Sequence, residues 1–340
     1  MLLLTLLTGT GPRLGVRASG GSVIDVTALG ECLAGQAPPL DLLRTPPPPA
    51  GTGRGYVPRP VPGRPARLEN VAAAGQAALD VIAALLAAEP GGDQPWRTPY
   101  ERARLDVPLV PPAVLCSGEN YTDHLAEKPP ASNREPEFFL KAPTTVAAPG
   151  ATIPVDRRVT GKLDSEVELA VIIGKPGRDI PVQDALSHVF GYTIALDLSA
   201  RDRQMIRHTC GGWMYDLVRG KNFDGALPLG PVVATRDEIP DPQDLALRGY
   251  VDGRCMQASS TRQMIWPVAE LISYLSRFLT LVPGTVIATG TPGGTAWGFD
   301  AEIGGTRAQP GVPAPYVTGG QRLRGEIERI GDLSVTVSDA

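Results

Sequence analysis

The sequence predicts an α+β protein, mainly β, with a small N-terminal domain ahead of a larger one. Three observations lead there. From about residue 105 to the C-terminus, β-branched runs alternate with turns marked by Gly and Pro. Helical spacing is confined to a few stretches. The length, 340 residues, exceeds the roughly 100–200 residues usual for one domain. We place a β/α domain at 1–104 and the larger domain at 105–340.

The opening "MLLLTLLTG" lacks a basic leader and its apolar run is interrupted by Thr5, so it reads as a first strand rather than a signal peptide. Short strands and turns fill residues 1–43. Residues 45–65, "TPPPPAGTGRGYVPRPVPGRP", carry too much Pro and Gly for regular structure. The "GTGRG" within them has neither the preceding strand nor the following helix of a phosphate loop. "LENVAAAGQAALDVIAALLAAEPGG" is Ala- and Leu-rich and predicts one helix stopping near Glu89. In the second domain, "PVQDALSHVFG" predicts a short helix between Pro181 and Gly191. "PVAELISYLSRFLTLVPG" predicts a longer one, with Ala269, Leu271, Ile272, Leu275 and Phe278 on its core face. The strand "TVIATG" follows.

Composition narrows the function. With 42% hydrophobic and 20% charged residues the chain is a soluble globular protein with ample core. Its net charge of -4 leaves no basic footprint, so no nucleic-acid partner is expected. No segment approaches the roughly 20 apolar residues of a membrane span. Cys32, Cys116, Cys210 and Cys255 form no CxxC pair, which indicates neither a disulfide framework nor structural zinc and suits a reducing cytoplasm.

The most informative stretch is "KLDSEVELAVIIGK", residues 162–175. Strand alternation puts Asp164, Glu166 and Glu168 on one face with Ala170 and Ile172, and Leu163, Val167, Leu169 and Val171 on the other. An exposed face would explain alternating acids, but the apolar continuation of that face weighs against it. Buried carboxylates cost several kcal/mol unless paired or bound to metal, and adjacent ones repel. Residues i and i+2 stand about 6.5–7 Å apart on one face, so Glu166 and Glu168 can converge on one ion. An all-oxygen site suits Mg²⁺, Mn²⁺ or Ca²⁺. Asp197 in "YTIALDLSARD" follows another apolar run and could supply a third carboxylate.

"LDSEVELAVIIGK", "GYTIALDLSARD", "GKNFDGALPLGP" and "TVIATGTPGG", with "SGENYTDHLAE" and "FFLKAP" upstream, stand in the order and roughly the spacing of the fumarylacetoacetate hydrolase family. The chain resembles that family over residues 113 to about 298, and its last strands, 321–337, resemble it less closely. The resemblance implies a mixed β-roll catalytic domain, a homodimer, and a divalent metal on Glu166, Glu168 and Asp197. Asp164 is then a structural hydrogen-bonding partner. It also implies that His124 and Glu127 form a water-activating dyad on a lid, with "KPPASNREP" as its mobile part; the pair alone reads more simply as a surface ion pair. Lys141 and Lys221, otherwise ordinary surface lysines, would point into the site, with Lys221 catalytic. Thr291 and Gly290 in the strand-end turn, Lys141 and Tyr121 would contact substrate, and Arg201 would brace Asp197 or the sheet.

The expected activity is that of an acylpyruvase-like enzyme, a metal-dependent hydrolase cleaving a carbon-carbon bond in a small β-diketo acid through an enolate. An isomerase, decarboxylase or hydratase acting on a related 2-oxo acid is the alternative, ahead of a non-catalytic ligand-binding relative. Rival chemistries lack their motifs: there is no GxSxG elbow, the three histidines are scattered, and Cys116 sits in an apolar run as a packed small residue. Three departures from the family pattern bear on substrate: Ser165 between Asp and Glu, the Pro-rich segment 45–65, and extra chain, chiefly 299–320, between the Thr-Gly-Thr turn and the final strands, with Trp297 and Phe299 of that stretch expected at a substrate entrance.

Overall fold

The computed structural model describes residues 1–38, 40–44, 66–127 and 135–340. The Pro-rich segment 45–65, and residues 128–134 of the stretch assigned to a lid, lie outside the described residues.

One mixed sheet carries the site. Its strands run Arg97–Pro99, Ser22–Asp25, Gly11–Arg17, Leu2–Thr8, Leu227–Thr235, Val189–Leu196, Val167–Ile173, Val286–Ala288, Val114–Gly118 and Glu137–Lys141. Neighbours along this path are antiparallel except Val286–Ala288 and Val114–Gly118, which are parallel. Residues 1–104 thus give four strands to the same sheet as the catalytic motifs, joined where Leu2 and Leu3 pair with Ala234 and Val233. A second sheet contains Arg254–Ser260, Ala246–Val251, Arg322–Ile327, Gly331–Asp339 and Thr152–Val155.

The large sheet is covered on both faces, which explains why Val167–Ile173 is buried at every position. Val167, Leu169, Val171 and Ile173 pack into a core shared with Leu247, Leu323 and Val335 of the second sheet and Ile272 and Leu275 of the helix Val268–Phe278. Ala170 and Ile172 face the other way, into a core completed by Leu68, Val71, Ile82 and Leu85 of the N-terminal helices. Each such fully buried aliphatic contributes about 1.5–3 kcal/mol. The expected division of the strand into two faces is therefore seen, and both faces are dry.

Four local expectations need correction. The stretch 162–175 is two strands, Leu163–Asp164 and Val167–Ile173, because the first pairs with Ser199–Ala200 instead of the main sheet. The Ala-rich run is two helices, Leu68–Ala74 and Gln76–Ala87, bent by 119°. Gly75 between them sits at φ 60°, ψ -135°, a conformation essentially confined to glycine. The short helix is 3-10, Val182–His188, and Gly191 lies within the next strand. Phe278 is 51% exposed, stacked with Phe138 and Tyr274 instead of entering the core. No single helix among the described residues is long and apolar enough to cross a membrane.

Candidate active site

The sheet's register brings the acids together. Val167 pairs with Leu196, so the two antiparallel strands end side by side, and the Asp197 N–H donates to the Glu166 carbonyl at 2.8 Å. Glu166, Glu168 and Asp197 are 3%, 2% and 1% exposed, and each offers a carboxylate oxygen within 4.8 Å of the other two.

Cations surround part of this cluster. Lys221, at the end of the helix Leu217–Lys221, donates to Glu166 and to Asp197 Oδ2, the latter at 2.6 Å. Lys141, the last residue of its strand, donates to Asp197 Oδ1 at 2.6 Å and to the Ala226 carbonyl at 3.0 Å. Arg201 donates to Glu166 Oε1 at 2.5 Å and to Asp164 Oδ2 at 2.9 Å. Its partners are thus Asp164 and Glu166, where the sequence had pointed to Asp197 or the sheet. Asp164 also accepts the backbone N–H groups of Ala296 at 2.9 Å and Trp297 at 3.3 Å. It links the cluster to the Thr-Gly-Thr turn's downstream chain.

Glu168 is placed differently. It accepts the Gly290 N–H at 2.8 Å, while Asp197 and Glu166 stand beside it. Gly290 has φ 91°, and a Cβ there would lie 2.7 Å from Cβ of Asn120, so this N–H can be presented only by glycine. Burial, then the charges of Asp197 and Glu166, push the Glu168 carboxyl well above the usual carboxylate range. Burial would raise Glu166 too, but Arg201 and Lys221 overcome it and hold that carboxyl well below the usual range. Four buried carboxylates, counting Asp164, face three buried cations.

A divalent cation fits this imbalance. Oxygen ligands lie about 2.0–2.6 Å from Mg²⁺ or Ca²⁺, so oxygens on one ion are at most about 5 Å apart, which the 4.8 Å limit satisfies. The donor set is all oxygen, as hard cations require.

Glu166, Glu168, Asp197, Arg201 and Lys221 line a cavity together with His124, Phe139, Tyr215 and Thr291. His124, on the short helix Thr122–Leu125, is 3% exposed, and its Nδ1 lies 3.0 Å from Glu127 Oε2. Glu127 is fully buried and also accepts the Gly294 N–H at 2.6 Å and the Thr295 hydroxyl at 3.0 Å, with Arg307 3.2 Å away. Burial raises this carboxyl, but the His124 hydrogen bond and charge outweigh it, so its pKa is lowered. The pair is thus an interior dyad and not a surface ion pair.

Of the remaining expected site residues, Thr291 lines the cavity but is engaged by structural partners. The Thr291 hydroxyl donates to the Val167 carbonyl at 2.9 Å and accepts from Gln257 at 2.8 Å. Tyr121 is buried, and its hydroxyl has no hydrogen-bond partner among the described residues. Lys141 lies behind Asp197 and does not line the cavity. Trp297 stacks near Arg201, 5.2 Å from its guanidinium carbon, and lines an outer cleft that Phe299 does not line. Sequence reasoning missed Ser199, Gln204 and Tyr215. Ser199 donates to Glu166 at 3.0 Å, and Gln204 joins Arg201 to the Tyr215 hydroxyl. The run "GGWMYD", three large apolar residues after two glycines, was the available signal for Tyr215.

Residues 113–338 match the family model described as fumarylacetoacetate (FAA) hydrolase C-terminal. The chain is 37% identical over 261 residues to the mitochondrial oxaloacetate tautomerase FAHD2A of Bos taurus, covering 76% of this chain and 75% of that one. The structure superposes over 100% of both chains on a fumarylacetoacetate hydrolase from psychrophilic Exiguobacterium antarcticum, with a TM-score of 0.71 and 30% identity. It does so equally on maleylpyruvate hydrolase from Sphingobium sp. SYK-6, solved with manganese(II) ion and pyruvate, with a TM-score of 0.70 and 25% identity. The chain belongs to the fumarylacetoacetate hydrolase family.

Proposed function

We propose that this chain is a divalent-metal-dependent enzyme that moves a proton next to the carbonyl of a small 2-oxo acid, interconverting keto and enol forms. The observation that carries the reading is His124, held through Nδ1 by Glu127 and lining the same small cavity as Glu166, Glu168 and Asp197. The cavity is narrow and its lining is mostly polar, which suits a small polar substrate. The tautomerase relative makes oxaloacetate the first substrate to test.

Nδ1 of His124 is held by Glu127, and the proton transfer is assigned to its Nε2. In the keto-to-enol direction, the C3–H bond breaks and its proton passes to Nε2. The electron pair becomes the C2–C3 double bond as the C2=O π pair moves onto the oxygen, which then takes the proton from Nε2 and restores neutral His124. The reverse direction returns the proton to C3. Glu127 keeps the imidazole oriented and stabilises its protonated form. Lys221 and Arg201 keep Glu166 ionised, and Lys141 and Lys221 hydrogen-bond the two oxygens of Asp197. A divalent cation, Mg²⁺ or Mn²⁺, held by Glu166, Glu168 and Asp197 would supply Lewis acidity toward the oxo-acid oxygens. The test is ketonisation of enol-oxaloacetate, followed by loss of enol absorbance with Mg²⁺ or Mn²⁺ and with EDTA. A rate no faster than buffer alone would sink the reading.

Hydrolysis of a carbon-carbon bond in a β-diketo acid is a second reading, supported by the buried dyad and the likeness to maleylpyruvate hydrolase. Here His124 takes a proton from water as the oxygen attacks the distal carbonyl, and the carbon-carbon bond breaks to leave an enolate that is then protonated. Release of acetate and pyruvate from acetylpyruvate, read by mass, distinguishes the two. The proposal places the enzyme as a homodimer in the cytoplasm, where its four free cysteines suit a reducing environment.

A further inference from the structure

The extra chain that follows the Thr-Gly-Thr turn folds back onto the dyad. It leaves the site through the 3-10 turn Ala296–Phe299 and is fixed at Asp300, which accepts Nζ of Lys162 at 2.7 Å and the Tyr316 hydroxyl at 2.5 Å. From there it returns. The Thr306 N–H donates to the Glu127 carbonyl at 3.1 Å and its hydroxyl to the Ala126 carbonyl at 3.0 Å, while the Arg307 N–H donates to the Gly298 carbonyl at 2.8 Å. Gly305 permits the return, because a Cβ there would lie 2.3 Å from the Trp297 carbonyl oxygen.

This loop carries Arg307 to Glu127. One carboxylate oxygen, Oε2, faces Nδ1 of His124 and accepts the Thr295 hydroxyl; the other, Oε1, accepts the Gly294 N–H and has Nη1 of Arg307 at 3.2 Å. A Cβ on Gly298 would fall 2.9 Å from Oε1, so backbone closes that side as well. Exposed ion pairs contribute little, and Arg307 is 47% exposed. Its partner is different: Glu127 is wholly buried, and a buried carboxylate is costly unless a positive charge faces it. Burial raises the Glu127 carboxyl, and the His124 hydrogen bond and charge, the Gly294 N–H and the Arg307 charge together lower it. The His124 charge comes and goes as the imidazole carries a proton. The Arg307 charge stays.

We infer that Arg307 is a positioning residue for the reaction, holding Glu127 charged and in place through the oxygen that His124 does not use. His124 can then give up its proton without leaving a buried carboxylate unbalanced. The inference rests on the reading of His124 as the group that carries the proton, and it adds a partner supplied by the stretch in which this sequence has more chain than the family pattern.

The test is steady-state ketonisation of enol-oxaloacetate by the Mn²⁺-loaded enzyme. Arg307→Ala should lower kcat about tenfold, well short of the loss from removing His124 itself, with KM and Mn²⁺ affinity unchanged. Arg307→Lys should recover most of the rate. Because the position opens to solvent, added guanidinium, far below concentrations that unfold the protein, should raise kcat of Arg307→Ala and leave wild type and His124→Asn as they were. Wild-type kcat in Arg307→Ala overturns the inference. So does a loss that neither lysine nor guanidinium restores, which assigns Arg307 to the packing of the loop; Arg307→Gln, which keeps most of the side chain's bulk, repeats the comparison if the alanine variant does not fold. His124→Asn separates the two levels: full activity there sinks the acid-base reading, whereas a defect there with wild-type kcat in Arg307→Ala sinks this inference alone.

Discussion

Glu89 in the N-terminal layer and Glu168 at the end of the central strand are both well-covered carboxylates, balanced in opposite ways. Glu89 receives Nε of Arg97 at 2.8 Å, Nη2 of Arg97 at 2.5 Å and Nε1 of Trp96 at 3.1 Å. Glu168 receives one backbone N–H, from Gly290, and has Glu166 and Asp197 as neighbours. The first acid is neutralised by its own protein and ties a helix end to a strand. The second is left short of positive charge within a cluster whose other members are paired. That difference separates a structural acid from one built for a ligand that the chain does not itself supply.

The comparison breaks most visibly at Glu168. Glu168→Gln keeps the shape and removes the uncompensated charge, so activity should fall by about three orders of magnitude. Isothermal titration should show Mn²⁺ affinity reduced by at least about 100-fold. The thermal midpoint of the EDTA-treated protein should not fall, because no stabilising partner is lost. A variant that bound Mn²⁺ as wild type does would remove Glu168 from the metal set.

Next in size is the dyad, which distinguishes groups that act on substrate from groups that hold an ion. His124→Asn should lower kcat by about 10²–10³-fold, the usual loss for a positioned acid-base group. Its Mn²⁺ affinity should stay near that of wild type. Parallel loss of metal binding would instead make His124 part of the ion site.

Arg201 probes the paired half of the cluster. Arg201→Met leaves Asp164 and Glu166 buried without their shared guanidinium, so urea unfolding of the EDTA-treated protein should show a loss of about 3–5 kcal/mol. A change below about 1 kcal/mol would mean that Lys221 and the backbone donors suffice.

How much of this was legible in the sequence follows the same division. Alternation put Glu166 and Glu168 on one face, and the apolar residues after them signalled burial, because strand period and hydrophobicity are local properties. The partners were not local. Arg201 lies 35 residues from Glu166 and Lys141 lies 56 from Asp197, so only folding reveals which carboxylates they neutralise. The helix break was present in the sequence as Gly75, but glycine is tolerated in many helices, and the backbone angles that exclude other residues are a tertiary outcome. Phe278 fits the helical spacing of its neighbours; the exposed cluster with Phe138 and Tyr274 depends on a strand 140 residues earlier.

The smallest effect lies at Glu89, and it sharpens the contrast because its sign is fixed by pH. The Arg97 hydrogen bonds, set against burial and helped by Trp96, lower the Glu89 pKa from 4.5 to about 2. A carboxylate whose folded pKa is depressed contributes stability that is fully present above its unfolded pKa of about 4.5. That contribution is lost as pH falls from there through about 2. Glu89→Gln should therefore cost about 1–2 kcal/mol at neutral pH, a modest figure because Arg97 is partly exposed. The gap between wild type and variant, measured by urea unfolding at stepped pH, should hold to about pH 5 and narrow steadily below it. Catalysis should not change. A gap that widened on acidification would reverse the sign, and Glu89 would then resemble the uncompensated Glu168 more than a neutralised structural acid.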